Sequence, residues 1–178
     1  GYSNVSIVFG SMLGRIMRDE LKERVWHGEG LIYIVDNPIQ ATDMEEFLGV
    51  RIKPAPGNAR ESKIQILPSD FSSESDIELS QKNQLVFNQV ASDVTIIGQT
   101  LQKKYPVIGY KPYGKGNILI ISIPLQFKSN SAAVSKLLLN AIASFSKDIY
   151  SENELSRLLP LHILLKNKAD SEKTITVK

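Results

Sequence analysis

The residues able to do chemistry in this chain are a few acids and one glycine-rich turn. Asp36 and Asn37 follow directly on the apolar run LIYIV at residues 31–35. An acid there stands where open α/β sheets bind ligands, outside the carboxyl ends of the strands. Asp36 is therefore the candidate for acid, base or electrostatic work, with Asp43 and Glu45 near it in sequence. The competing reading is structural: Asp36 or Asn37 caps the next turn, and Asp43 and Glu45 occupy a helix first turn, where the helix dipole favours acids. Gly114, Lys115 and Gly116 suggest phosphate or nucleotide binding, but a phosphate loop feeds the N-terminus of a helix, and here a β-rich run at residues 118–123 follows. Lys115 is read as an exposed turn residue.

Composition removes further chemistry. The chain has no cysteine, which excludes a thiol nucleophile, a disulfide framework and every thiolate metal site. Its two histidines, His27 and His162, are read as surface or packing residues; no metal site and no cofactor is expected. Twenty-one basic and 19 acidic residues interleave to a net charge of +2, which gives no concentrated footprint for nucleic acid. No apolar run approaches the roughly 20 residues of a membrane span. A length of 178 residues suits one ordinary domain of about 100–150 residues plus an appendage. A strand-like run already opens at Val5, so the natural chain is expected to begin upstream.

These residues are positioned by a readable series of elements. Val5–Phe9 reads as a strand, followed by a helix with the stripe Leu13, Met17, Leu21 and Val25 and a stop at Gly28. Glu20 and Arg24 form an i,i+4 pair expected on its solvated face. Residues 31–35 are apolar throughout, as in a strand buried on both faces, and strand, helix, strand predicts a parallel crossover. Asp36, Asn37 and Pro38 break that strand. Thr42, Asp43, Met44 and Glu45 have the spacing of a capping box opening a short helix that stops at Gly49. From Val50 to Gln84 the texture is that of loops punctuated by Pro54, Pro56 and Gly57, with an edge strand at residues 63–67 and a serine-rich acidic connection at 69–80.

Residues 94–123 read as three sequential, mostly antiparallel strands, the last two joined by the glycine turn. Val134, Leu137, Leu138, Ala141, Ile142 and Phe145 then mark a helix that lies on the sheet. After it, residues 161–165 and 174–177 flank a polar stretch, like a hairpin with no core of its own. Such a hairpin packs on the main domain or opens a further β domain. The expected organisation is an α/β domain at 1–149, then a linker and the start of a β domain at 150–178.

Taken together, these pieces resemble the class I glutamine amidotransferase-like superfamily, including trehalose-utilisation-protein-like domains. The resemblance rests on the helix running into GEGLIYI at residues 28–34, on Leu48, Gly49 and Val50, on Pro106 and Val107 with Tyr113 to Gly116, and on Leu139 to Ile142. It covers roughly residues 4–146 and implies a flavodoxin-like parallel sheet with an antiparallel extension, here followed by a C-terminal β-hairpin tail. The family's first strand and helix have no counterpart. Active members carry a nucleophilic cysteine on the turn that is Asp36, Asn37 and Pro38 here, and a QFHPE run where this chain has QFKSN at residues 126–130. By that alignment Lys128 stands for the histidine and Asn130 for the glutamate, so a Cys-His-Glu amidase is ruled out.

The function expected from these features is a non-catalytic binding or scaffolding module of a larger bacterial, envelope-associated protein, in the periplasm or outside the cell rather than in the cytoplasm. Its partners would be adjoining domains of the same polypeptide and a protein or carbohydrate ligand, with Asp36, Asn37, Lys128 and Asn130 as binding residues. The alternative is a hydrolase-like enzyme using Asp36 with Lys128 in the crevice at the C-terminal edge of the sheet.

Overall fold

Strand β1 (Val5–Phe9) and strand β2 (Gly30–Ile34) are joined by helix α1 (Arg15–Trp26) and lie parallel, with Ile7 beside Ile32 and Phe9 beside Ile34. The structure is a computed structural model describing residues 4–58, 63–71, 76–78, 84–123 and 131–146. Lys128, Asn130, His162 and the expected β domain at 150–178 lie outside the described residues. All five residues of β2 are buried, as the unbroken apolar run requires when helices cover both faces.

The chain is α/β, and its described residues form a mixed sheet of seven strands in the order β1-β2-β9-β8-β7-β4-β5. β2 pairs in parallel with β9 (Gly116–Ile121), and β9 turns antiparallel through β8 (Pro106–Tyr113) and β7 (Thr95–Thr100). β4 (Lys63–Ile66) and the two-residue β5 (Ile77–Glu78) complete it. The hairpin between β8 and β9 turns on Gly114, at φ 57°, which an L side chain rarely adopts. Gly116 serves close approach: a Cβ there would lie 2.2 Å from the Val25 carbonyl oxygen and 2.3 Å from that of Glu29. The hairpin turn is thus seated against the C-terminus of α1, and Lys115, exposed, donates its backbone N–H to Trp26 at 2.9 Å.

Two cores lie on the two faces. Leu21 and Val25 of α1, with Met44, Phe47 and Leu48 of α2 (Thr42–Leu48), cover one. On the other, Ala133, Leu137, Ala141 and Phe145 of α3 (Ser131–Ser146) pack on Ile32, Ile34, Leu119 and Ile121. The amphipathic pattern of α3 is realised as expected.

Several expectations need correction. Residues 50–54 and 85–90, the first read as loop and the second unassigned, pair as a separate antiparallel ribbon, β3 (Val50–Pro54) with β6 (Leu85–Val90). The pairing is non-local, so no short-range pattern announces it. The strand at residues 63–66 is not the last of the sheet, because β5 pairs with Lys63 and Ile64. The capping box does not form: Ala41 is the N-cap, without a side-chain hydrogen bond, Thr42 is already helical, and Glu45 pairs with Arg51 at 3.0 Å. Gly49 does end that helix, in the left-handed conformation at φ 70°. On α1 the buried stripe is narrower than its periodicity implied: Leu13 precedes the helix and Met17 is 56% exposed. Arg24 lies 3.8 Å from Glu20, but its close partner is Glu29, at 2.7 Å.

Candidate functional site

In an open sheet the crevice forms between strands whose onward connections leave on opposite faces. β2 leads to α2 on the α1 face and β9 precedes α3 on the other, so the general rule points to the carboxyl ends of these strands. Asp36 and Asn37 lie just past the carboxyl end of β2.

Both oxygens of Asp36 are engaged. Oδ1 accepts the backbone N–H of Ser11 at 2.8 Å, and Oδ2 accepts the Ser11 hydroxyl. Sheet register explains the meeting: Phe9 pairs with Ile34, so the residues two beyond each, Ser11 and Asp36, are neighbours. The carboxylate holds the single 3₁₀ turn at Gly10–Met12 against the loop after β2. Asn37 is used locally too. Its Oδ1 accepts the N–H of Ile39 at 2.9 Å and its carbonyl accepts the Gln40 amide at 2.6 Å, the self-turning habit of asparagine.

Beneath this loop is a residue the sequence reading passed over. Tyr33, 1% exposed, donates its hydroxyl to Gln40 Oε1 at 2.9 Å. Gly10 makes room for the phenol, since a Cβ there would lie 2.4 Å from the Tyr33 oxygen. Burial, reinforced by the negative charge of Asp36 and opposed by Arg18, pushes the phenol up to about 12. Asp43 is bound by Lys22 at 2.6 Å and Arg18 at 3.2 Å. The Lys22 hydrogen bond, outweighing partial burial and helped by Arg18, holds the Asp43 carboxyl below its ordinary value. Ser11, Tyr33, Gln40, Arg18 and Lys22 are thus the partners missed from sequence; only Ser11 was findable, by counting two residues past each parallel strand.

Among the described residues the acids at this edge each carry a hydrogen-bonded neighbour, no imidazole adjoins Ser11, and no three of His, Cys, Asp or Glu group to hold a metal. His27 is at the exposed C-cap of α1, its ring beside the Glu23 carbonyl at 2.8 Å. A shallow groove of about 380 Å³ lies elsewhere, on the α2 face that carries Thr42, Glu45 and Glu46, and is closed by Gln89 and Val90 of β6. Among the described residues no helix is long and apolar enough to cross a membrane.

The tightest polar cluster is at the opposite end of the strands. Arg24 grips Glu29 through Nε to Oε2 and Nη2 to Oε1, both 2.7 Å, and also donates to the Ser6 hydroxyl at 2.7 Å. Glu29 is only 9% exposed. Burial pushes its carboxyl up, but the hydrogen bonds from Arg24 and Ser6, with the guanidinium charge, outweigh it and hold the group below its ordinary value.

No protein-family model and no curated protein matches the chain. Solved structures do, at the level of fold. A cold-adapted β-galactosidase from Rahnella sp. R3 matches 82% of this chain with 10% identity and a TM-score of 0.56, and a β-galactosidase from Bacillus circulans sp. alkalophilus matches 82% with 11% identity and a TM-score of 0.52. A ThuA-like protein from Bacteroides uniformis matches 80% with 12% identity and a TM-score of 0.55. The chain spans 23% and 22% of the two β-galactosidases and 69% of the ThuA-like protein.

Proposed function

We propose that this chain is a non-catalytic binding or scaffolding module of a larger bacterial, envelope-associated polypeptide, with a flavodoxin-like, glutamine amidotransferase-like fold. The observation that carries the reading is the use of Asp36: both of its oxygens are occupied by Ser11, so the acid best placed for chemistry closes a turn. The absence of cysteine removes the family's nucleophile, and likeness to about a quarter of a β-galactosidase is what a module of a longer chain would give. In this reading residues 150–178 lead into an adjoining β domain, and the ligand is a protein or a carbohydrate held at the edge formed by Asp36, Asn37, Lys128 and Asn130. A periplasmic or extracellular location goes with this reading.

A second reading, hydrolase-like chemistry by Asp36 with Lys128, is favoured by one observation, the position of Asp36 at the switch-point crevice. The experiment separating them is an assay of the purified chain on chromogenic galactosides, esters and glutamine, with Asp36→Asn alongside. No turnover is expected from either protein. Turnover that Asp36→Asn abolishes would overturn the non-catalytic reading. Binding is read in the same samples by isothermal titration calorimetry with galacto-oligosaccharides, and Asp36→Asn should weaken any binding that the parent chain shows.

A further inference from the structure

β1 is the last strand on its side of the sheet among the described residues, pairing only with β2. Free edges are ordinarily protected by lysine, proline or a bulge, and VSIVF contains none of these. Ile7 lies beside the fully buried Ile32, yet is itself 49% exposed. The apolar surface under α3 therefore continues to the open edge. On the other face Arg24 reaches Ser6, so the flank of α1 carrying Met17, Glu20 and Arg24, spaced i, i+3, i+7, runs along β1. Met17 is exposed there.

We infer that this edge binds a second copy of the chain, with the two β1 strands antiparallel about a two-fold axis at Ile7 and the two sheets joined into one. The strand is self-complementary in that arrangement. Ile7 faces its own counterpart, Val5 faces Phe9 of the second copy and Ser6 faces Val8, so apolar side chains stay together on the α3 face.

The charges on α1 select the same arrangement. The helix runs opposite to β1, and Glu20 lies one turn, about 6 Å, before Arg24, which equals about two strand residues toward the carboxyl end of β1. Arg24 is level with Ser6; Glu20 is therefore level with Val8. Because Ser6 faces Val8 across the axis, Arg24 of each copy faces Glu20 of the other. Two symmetry-related pairs of opposite charge flank the new strand pair, and a two-fold contact closes without further growth.

The chain has no cysteine, so Ile7→Cys places a single thiol per copy on the axis, where facing Cα atoms are about 4.5–5.5 Å apart. Mild oxidation should link Ile7→Cys into a disulfide dimer and leave Ile39→Cys, 81% exposed beyond the other end of β2, largely unlinked. In sedimentation, the unaltered chain should show a monomer–dimer equilibrium. Ile7→Lys should be monomeric and melt as the unaltered chain does at concentrations where that chain is monomeric, and Glu20→Arg should raise the dimer dissociation constant about tenfold. A monomer at every concentration, as when another segment covers β1, overturns the inference. So does a dimer that neither Ile7→Lys nor Glu20→Arg weakens.

Discussion

At the carboxyl ends of β1 and β2, Ser11 and Asp36 meet on the surface, each exposed; at the amino ends of the same strands, Ser6, Arg24 and Glu29 meet beneath the β8–β9 turn, with Glu29 nearly enclosed. The same pair of residue types, a serine and a carboxylate, appears at both ends. At the carboxyl end the pair is open and closes a 3₁₀ turn. At the amino end it is held by the Arg24 guanidinium. Open α/β sheets bind ligands at the first end, while packing places the demanding electrostatics at the second, so strength of interaction and expectation of function fall at opposite ends of one sheet.

The largest effect expected from breaking this contrast is at Gly116. A Cβ in Gly116→Ala collides with two backbone carbonyls, and backbone yields poorly, so a loss of about 3 kcal/mol or more is expected. Calorimetry should register a fall in melting temperature of roughly 6–12 °C. A fall of a degree or two would mean that the turn is not seated on α1.

Glu29→Gln comes next. It leaves Arg24 with only the more distant Glu20 as a charged partner, but Arg24 is 45% exposed and rehydrates, so the cost should be about 1–2 kcal/mol. The pH dependence has a defined sign. A carboxyl held below its ordinary value when folded contributes stability above the ordinary value, and loses it as pH falls through the lower folded value. The difference between the parent chain and Glu29→Gln should therefore be full at neutral pH and shrink below about pH 4. A constant difference down to pH 2 would break the assignment.

Tyr33→Phe removes one buried hydrogen bond to Gln40 and should cost about 1 kcal/mol. Spectrophotometric titration should show one tyrosine ionising near the value of about 12. Since the raised group stabilises the fold below its unfolded value near 10, this contribution is lost as pH rises toward 12. At the exposed end the effects should be smallest: about 0.5–1 kcal/mol for Asp36→Ala, by analogy with the loss of a cap, and under about 0.5 kcal/mol for Asp43→Asn. Urea unfolding measures both. A larger loss at Asp36 than at Glu29 would invert the comparison.

Much of the frame was legible in the sequence. β1 was read with its observed bounds, the parallel crossover followed from strand, helix, strand, and the stripe of α3 pointed to its buried residues. These features are local, with periods of two or 3.6 residues and stops at Gly28 and Gly49. The site was legible in one respect only, the position of Asp36 after a buried strand. That Asp36 meets Ser11, that Arg24 leaves Glu20 for Glu29, and that Thr42 caps nothing depend on neighbours up to 25 residues away.

By itself, then, the sequence determined the class of fold, the order of its parallel and antiparallel parts, and the exclusion of thiol chemistry, because residue types and short spacings suffice for each. Tertiary structure decided the pairing of β3 with β6, the enclosure of Glu29 and the occupation of Asp36. Those outcomes turn on which distant backbone arrives beside a side chain, and a hydrogen bond forms with whatever partner the fold delivers within about 3 Å.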